Sequence, residues 1–379
     1  MLIPLYSFFY RNALRRIFFQ FDPELVHNLI VKIGETQGKI NLSKHFLRSA
    51  LVHDSPVLKQ KIAGIEFKNP MGLAAGFDYN AQLTQILPSL DFGFETIGTI
   101  TNLPYAGNPR PILGRLPKSK SLMVNKGFKN KGVVIISQKL KGQTFQIPLG
   151  ISIGMTNPGK TLSKAKSASG GQKSAIQDIL QAFRIFENSN IKSSYYELNI
   201  SCPNLYGNVT FYPPKNLDEL LTAVDDLKLN KPVFIKMPIN ETDHQTLKML
   251  DVIVRHKIAG VIFGNLQKDR NDPSLDPEEV KKWKVGNFSG KPTEKRSNEL
   301  IALAYKKYGS KLVIIGCGGI FNAQDAYRKI KLGASLLQLI TGLIYEGPLL
   351  VAKINNELPK LLKQDGFTNI KDAIGVELQ

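Results

Sequence analysis

"IIGCGGIFNAQDAYRKIKLGASLLQLITGLIYEGP", residues 314–348, decides the fold. It opens on an apolar run ending in Gly318-Gly319, passes through a helical pattern near Asn322, and returns to an apolar run ending in Thr341-Gly342. Continuous apolar runs joined by a helix fit parallel strands covered on both faces. Glycines at a strand end let backbone N–H groups approach a phosphate, and the following helix N-terminus adds its positive end. Two such glycine sites on consecutive strand ends predict a phosphate-bearing ligand there.

The same alternation extends back to residue 70. Strands are expected over 70–76, 94–100, 147–153, 195–201, 232–237, 259–265, 311–318 and 335–340. Helical patterns lie between them at 175–189, 216–228, 243–256, 294–308 and 322–332. Eight strand–helix units predict an α/β fold, a (β/α)8 TIM barrel. An open doubly wound sheet is the competitor, but it more often stops at about five to seven strands. With no internal repeat and no second core, residues 41–379 read as one barrel and residues 1–40 as a small helical extension. Barrel enzymes carry their chemistry at the C-terminal strand ends. Those ends hold Ala74, Ala75 and Gly76, then Thr99, Ser152, Asn199 with Cys202, Lys236 and Asn265, where plain packing would want Val and Leu.

Composition narrows the function. The 379-residue chain is 42% hydrophobic and carries 50 Lys and Arg against 31 Asp and Glu, a net charge of +19. That excess suggests an anionic partner such as phosphate, an acidic membrane surface or nucleic acid; a lysine-rich solvated surface is the plainer alternative. Cys202 and Cys317 are the only cysteines, which excludes a disulfide framework and zinc-type spacing. None of the five histidines ends a strand, so no metal site is expected. The lack of a G-x-G-x-x-G fingerprint argues against tightly bound nicotinamide. Lys236 inside "FIKMP" would point into the barrel mouth, which is costly unless an anion meets it. A reduced flavin carries such a charge at its pyrimidine edge. The Lys-, Ser- and Gly-rich segment 158–175 is expected to be a mobile loop on the catalytic face, a lid or a solvated loop.

No apolar run approaches the roughly 20 residues needed to cross a bilayer. The first thirty residues instead suggest two amphipathic helices broken at Asp22-Pro23, with Asp22 capping the second and Pro23 in its first turn. Such helices either pack on the domain or lie in a bilayer interface, where Leu2, Ile3, Leu5, Phe8, Phe9, Phe18 and Phe19 would form an apolar surface and Arg11, Arg15 and Arg16 could meet anionic headgroups.

Taken in order, "FDPELVH", "NPMGLAAGFD", "GFETIGTIT", "GNPRPILGRLP", "GFKNKG", "ELNISCPN", "GVIFGN", "GNFSGKP", "IIGCGGIFNAQDA" and "DGFTNIKDAIG" resemble a dihydroorotate dehydrogenase. With the N-terminal helices, the chain is most similar to the quinone-dependent, membrane-associated class. The resemblance covers nearly all of the chain. It implies an FMN barrel that oxidises dihydroorotate to orotate in pyrimidine (UMP) synthesis and passes electrons to ubiquinone or menaquinone. It also implies a peripheral position on the cytoplasmic side of the cell membrane, held through the N-terminal helices, with no nucleic-acid partner. By the resemblance, Ala74, Ala75, Gly76, Thr99, Ser152, Asn199 and Gly264 would line the flavin. Lys236 would face its pyrimidine ring, and Gly290, Gly318, Gly319, Thr341 and Gly342 would hold its edge and phosphate. Asn125, Phe128, Asn199, Asn204 and Asn265 would bind the substrate, since Asn meets a ring of alternating donors and acceptors. Cys202 falls at the catalytic base, and His27 and Arg115 at the quinone head.

The departures from the family pattern are specific. Membrane-class members usually have serine as the base, whereas cysteine belongs to the soluble class. Tyr79 stands where a lysine touching flavin and substrate is expected, and Ser152 replaces an asparagine. Val124 occupies the expected place of a substrate asparagine, leaving Asn125 or Lys126 to compensate. Leu266 follows Asn265 where threonine is common, and Ile340 replaces a tyrosine of the quinone site. As a base, an unperturbed thiol titrates near ~8.5 and needs no elaborate relay. The rival readings are a soluble-type dihydroorotate dehydrogenase using fumarate or NAD, a tRNA dihydrouridine synthase (another FMN barrel with a basic surface), and a non-enzymatic flavin- or membrane-binding relic in which Tyr79 has ended turnover.

Overall fold

The computed structural model describes residues 2–159, 171–206 and 209–378. Strands β1 (Met71–Leu73), β2 (Phe94–Ile100), β3 (Leu149–Ile153) and β4 (Tyr195–Asn199) are followed by β5 (Val233–Met237), β6 (Gly260–Phe263), β7 (Val313–Cys317) and β8 (Leu336–Leu339). All pair in parallel with their neighbours and close into an eight-stranded barrel. Each strand expected from the sequence is present, most of them trimmed at one or both ends.

Period-two alternation divides most of the strands between two cores. Outward residues such as Leu198, Ile235, Val261, Ile314 and Leu337 pack with helix residues Phe183, Leu221, Ile301 and Ile330. The inward residues change character along the barrel axis. Phe94, Tyr195, Phe234, Ile262, Ile315 and Leu336 form an apolar floor, closed from below by Ile62 and Phe67 of the hairpin Gln60–Ile62 and Ile65–Phe67. Gly150 of β3 makes room for this floor, because a Cβ there would meet the Tyr195 ring at 2.2 Å. One step up, the interior is polar: Thr96 Oγ1 lies 2.7 Å from Tyr195 Oη and accepts from Gln338 Nε2 at 2.9 Å. Glu197 and Lys236 sit at the next inward positions of β4 and β5. The functional groups are therefore the upper rungs of strands whose lower rungs are hydrophobic.

Two additions frame the mouth. A three-stranded antiparallel sheet joins Leu113–Leu116, Ser121–Val124 and Asn287–Gly290, with Ser121–Val124 in the middle. The N-terminal segment forms a helical run Leu2–Phe9, Tyr10–Leu14 and Arg15–Phe18, then the helices Pro23–Lys39 and Asn41–Leu51. Asp22 caps as expected, its Oδ1 accepting from the N–H groups of Glu24 and Leu25 at 2.9 and 3.0 Å. The helical segment runs on past residue 40, since Asn41–Leu51 follows within one residue. Within the 158–175 loop expected from sequence, residues 171–175 begin the helix Gly171–Asn188. The lid expectation rests on residues 160–170, which lie outside the described residues.

Candidate active site

The C-terminal strand ends open into one cavity of about 720 Å³ that continues outward between the N-terminal helices. Its lining runs from Gly318, Gly319 and Lys236 through Asn199, Cys202 and Asn265 to His27, Arg115 and Phe19, then Tyr10 and Tyr6. Its lining includes Lys126, Lys129, Lys236, Arg115 and His27, and no carboxylate among the described residues. That charge balance suits an anionic occupant.

At the inner end the polar side chains hold one another. Asn199 Nδ2 donates to Thr99 Oγ1 at 2.8 Å, and Asn199 Oδ1 accepts from Ser201 N–H and Oγ–H at 3.2 and 3.0 Å. Asn265 Nδ2 donates to the same Ser201 Oγ at 2.5 Å. Across the mouth, Asn204 Nδ2 donates to the Val124 carbonyl at 3.0 Å while Asn287 Nδ2 donates to Asn204 Oδ1 at 2.8 Å. Lys236 Nζ stands 3.9 Å from Glu197 Oε1, and Glu197 Oε2 is buried without a partner. The β4–β5 register sets Lys236 beside Asn199.

The phosphate expectation meets open donors. Gly319, Thr341 and Gly342 line the cavity, and their N–H groups find no acceptor among the described residues. Ser289 and Thr341 hydroxyls lie 2.8 Å apart beside them. Gly319 has φ +71, and a Cβ there would meet Glu294 Cβ at 2.3 Å. Its side-chain direction thus faces the helix Glu294–Tyr308, so glycine is required by packing and backbone conformation.

Two residues singled out from sequence do not line the cavity. Ser152 is fully buried one layer below, its Oγ 2.9 Å from Thr99 Oγ1 and donating to Glu197 Oε1 at 2.8 Å. Asn125 points into its own loop, with Nδ2 3.3 Å from the carbonyls of Pro109 and Pro111 and Oδ1 accepting from Asn108 Nδ2 at 3.0 Å. Its amide is spent on shaping the segment that carries Lys126. Ala74, Ala75, Gly76, Thr99, Asn204, Gly264, Gly290, Gly318 and Phe128 all line the cavity. Asn287, Ser201 and Glu197 were not singled out from sequence. All three lie in or beside quoted motifs, but only the fold shows that Asn287 comes to Asn204.

Cys202 follows β4 and faces the cavity. Burial dominates its surroundings and pushes the thiol up to about 12, against the smaller opposing effects of the Asn204 N–H and Lys268. That differs from the unperturbed thiol expected from sequence. At pH 7 a group titrating near 12 is ionised only to about one part in 10⁵. At the outer end His27 packs edge-on to Phe77 at 4.9 Å and stacks on Tyr79 at 5.5 Å. Burial, with Lys126 and Lys129 nearby, lowers its pKa to about 2, so it is neutral. Arg115 Nη1 donates to the Phe21 carbonyl at 2.6 Å, and its guanidinium lies 4.8 Å over the Phe19 ring.

Fold and site together define a (β/α)8-barrel enzyme whose catalytic chamber opens into an apolar channel beneath a helical cap. The profile described as dihydroorotate dehydrogenase matches residues 57–362. A "Dihydroorotate dehydrogenase (quinone)" of Mycobacterium sp. (strain KMS) is 33% identical over 364 residues, 96% of this chain and 98% of that protein. One of the same name from a Nitratiruptor species is 34% identical over 370 residues, 97% of this chain and 99% of that protein. The ligand-free DHODH of Eimeria tenella superposes with a TM-score of 0.81 at 27% identity, covering 94% of this chain and 100% of that one. The chain belongs to the dihydroorotate dehydrogenase family, in its quinone class, and is an oxidoreductase acting on a CH–CH group.

Proposed function

We propose that this protein oxidises dihydroorotate to orotate with bound FMN, in de novo pyrimidine (UMP) synthesis, and hands the electrons to a membrane quinone, ubiquinone or menaquinone. The observation that carries this reading is the single cavity joining the amide and thiol cluster to the apolar channel. The residues present fit FMN: open N–H donors at Gly319, Thr341 and Gly342 suit its phosphate. Lys236, already placed by Glu197, would hold the electron-rich pyrimidine edge. Bound FMN supplies the acceptor for the hydride leaving C6 of the substrate.

The chain's own groups do the rest. Asn199 and Asn265, fixed through Ser201, and Asn204, fixed through Asn287, would hold the ring's N–H and carbonyl groups without reorganising. Cys202 Sγ, as thiolate, takes the proton from C5. His27 and Arg115 would offer N–H donors to the quinone carbonyls.

The exposed face of the cap supports a peripheral membrane position, and the cytoplasmic side belongs to the same proposal. Leu5, Phe8, Leu42 and Phe46 are 70%, 61%, 78% and 67% exposed on it. Among the described residues, no helix is long and apolar enough to cross a membrane. Arg11 and Arg15, which the sequence suggested for headgroups, also reach the barrel. Arg15 Nη1 donates to the Tyr345 carbonyl at 2.9 Å and Arg11 lies 3.6 Å from Glu346, so both anchor the cap to the barrel. Phe18 and Phe19 line the channel instead of the outer surface. Anaerobic mixing with dihydroorotate tests the donor side: the flavin absorbance should bleach and orotate should form. An unchanged spectrum would reject the reading.

A further inference from the structure

The chamber holds one lysine that no carboxylate pairs with among the described residues. Three lysines line it. Lys236 has Glu197 at 3.9 Å, and Lys129 has Glu24 at 2.5 Å. Lys126 has no carboxylate within salt-bridge distance among the described residues. Its Nζ donates to the Gly76 carbonyl at 3.3 Å and stands 4.7 Å over the Tyr79 ring. A neutral carbonyl and a ring face are weak partners for an ammonium removed from water. The backbone around it is held firmly. Asn125, its neighbour, fastens the loop to Pro109 and Pro111, and Asn204 Nδ2 ties in through the Val124 carbonyl. The ammonium is therefore presented at the end of β1, beside the amide cluster, by a segment built to keep it there.

We propose that Lys126 is the cation that receives the carboxylate of the substrate and so selects a pyrimidine acid over an uncharged pyrimidine. The proposal rests on the dihydroorotate reading of the same chamber. It also accounts for Tyr79, whose aromatic face supports the ammonium from below rather than supplying a charge of its own. Arginine would add a planar fork with fixed geometry, whereas lysine delivers a point charge that a small carboxylate can approach from several directions.

The site carries a pH signature. Burial, aided by Lys129 and opposed by Glu24, lowers the Lys126 pKa to about 8. The other groups facing it do not change charge nearby: His27 is neutral above about 2, and burial raises Tyr79 and Cys202 to about 12. Because the charged form is the binding form and the folded value is depressed, affinity for an anion should fall as pH rises through and above 8.

The test compares orotate with uracil, which lacks the carboxylate, by titrating oxidised holoenzyme and following the perturbation of the flavin spectrum. In Lys126→Met, orotate should bind roughly ten- to a hundredfold more weakly, the range for losing a charged hydrogen-bond partner, with uracil binding and flavin content unchanged. Lys126→Arg should retain orotate and keep it above pH 9, where the parent loses it. Adding Tyr79→Lys to Lys126→Met should restore binding, since a lysine at 79 starts beneath the same point. Equal orotate affinity in parent and Lys126→Met would overturn the proposal. So would parallel loss of orotate and uracil, or loss of flavin, which would assign the charge to packing or to the cofactor. If the parent itself neither binds orotate nor is reduced by dihydroorotate, the underlying functional reading fails together with this one.

Discussion

The inner and outer ends of the chamber are built on opposite plans. The inner end stands on barrel strands, and its amides are locked to one another and to Thr99, Ser201 and Asn287. The outer end is a helical cap with its own exposed apolar face, anchored by Tyr10 to the Ile344 carbonyl, Arg15 to Tyr345, and Glu24 to Lys129 and Arg110. Precise chemistry needs groups held to fractions of an ångström, which strands provide. On the proposed reading quinone arrives from lipid, a contact that an appended surface would provide without disturbing the barrel. If this division is right, lesions at the two ends should be separable.

The largest effect should come from the inner end. Cys202→Ala is expected to slow flavin reduction by dihydroorotate by roughly 10²–10⁴, the usual share of a general base, while quinone reoxidation of dithionite-reduced enzyme stays normal. In the parent, the thiol at about 12 makes the reactive thiolate scarcer as pH falls. Stopped-flow reduction should therefore quicken about tenfold per pH unit through the neutral range. A pH-independent rate would break the assignment.

At the outer end, removing residues 1–40 is too blunt a probe. Val31 packs with Leu83 and Ile86, and Gly34 lies against Leu83, so truncation would strip the barrel as well. The exposed triple change Leu5→Asp, Phe8→Asp and Leu42→Asp touches only the surface. It should weaken vesicle binding by roughly a hundredfold or more, from the lost apolar burial alone, and leave flavin reduction intact. Cosedimentation with liposomes measures it, and undiminished binding would place the membrane contact elsewhere. A smaller loss is expected from His27→Ala: up to about tenfold in quinone KM, the worth of one neutral hydrogen bond, with no change in dihydroorotate KM. Smallest for turnover is Ser152→Ala. It should cost about 1–3 kcal/mol of stability by stripping a hydrogen bond from buried Glu197, visible as a lower Tm.

The barrel was legible because its strands carry continuous apolar runs that end in glycines and polar residues, a local signal. The cap's break was legible for the same reason, since Asp22-Pro23 is a capping pair. The three-stranded sheet at the mouth was not. Asn287–Gly290 pairs with Ser121–Val124 from far away in the chain, and four-residue strands carry almost no periodicity. Asn287 was lost with it, although its motif was noticed. Side-chain direction was equally invisible. Asn125 and Lys126 are neighbours of similar promise in sequence, yet one points into its loop and the other into the chamber. The barrel contacts of Arg11 and Arg15 were hidden too, because charge on an amphipathic helix does not say which face meets the barrel.

The acceptor decides the account. Enzyme reduced anaerobically by dihydroorotate should be mixed in a stopped-flow instrument with vesicles carrying a long-chain quinone, with quinone-free vesicles, and with fumarate or NAD in solution. The account predicts rapid return of the flavin absorbance with quinone vesicles alone, and slow return when the cap carries the three aspartates. Rapid return with fumarate or NAD, and indifference to quinone vesicles, would contradict it.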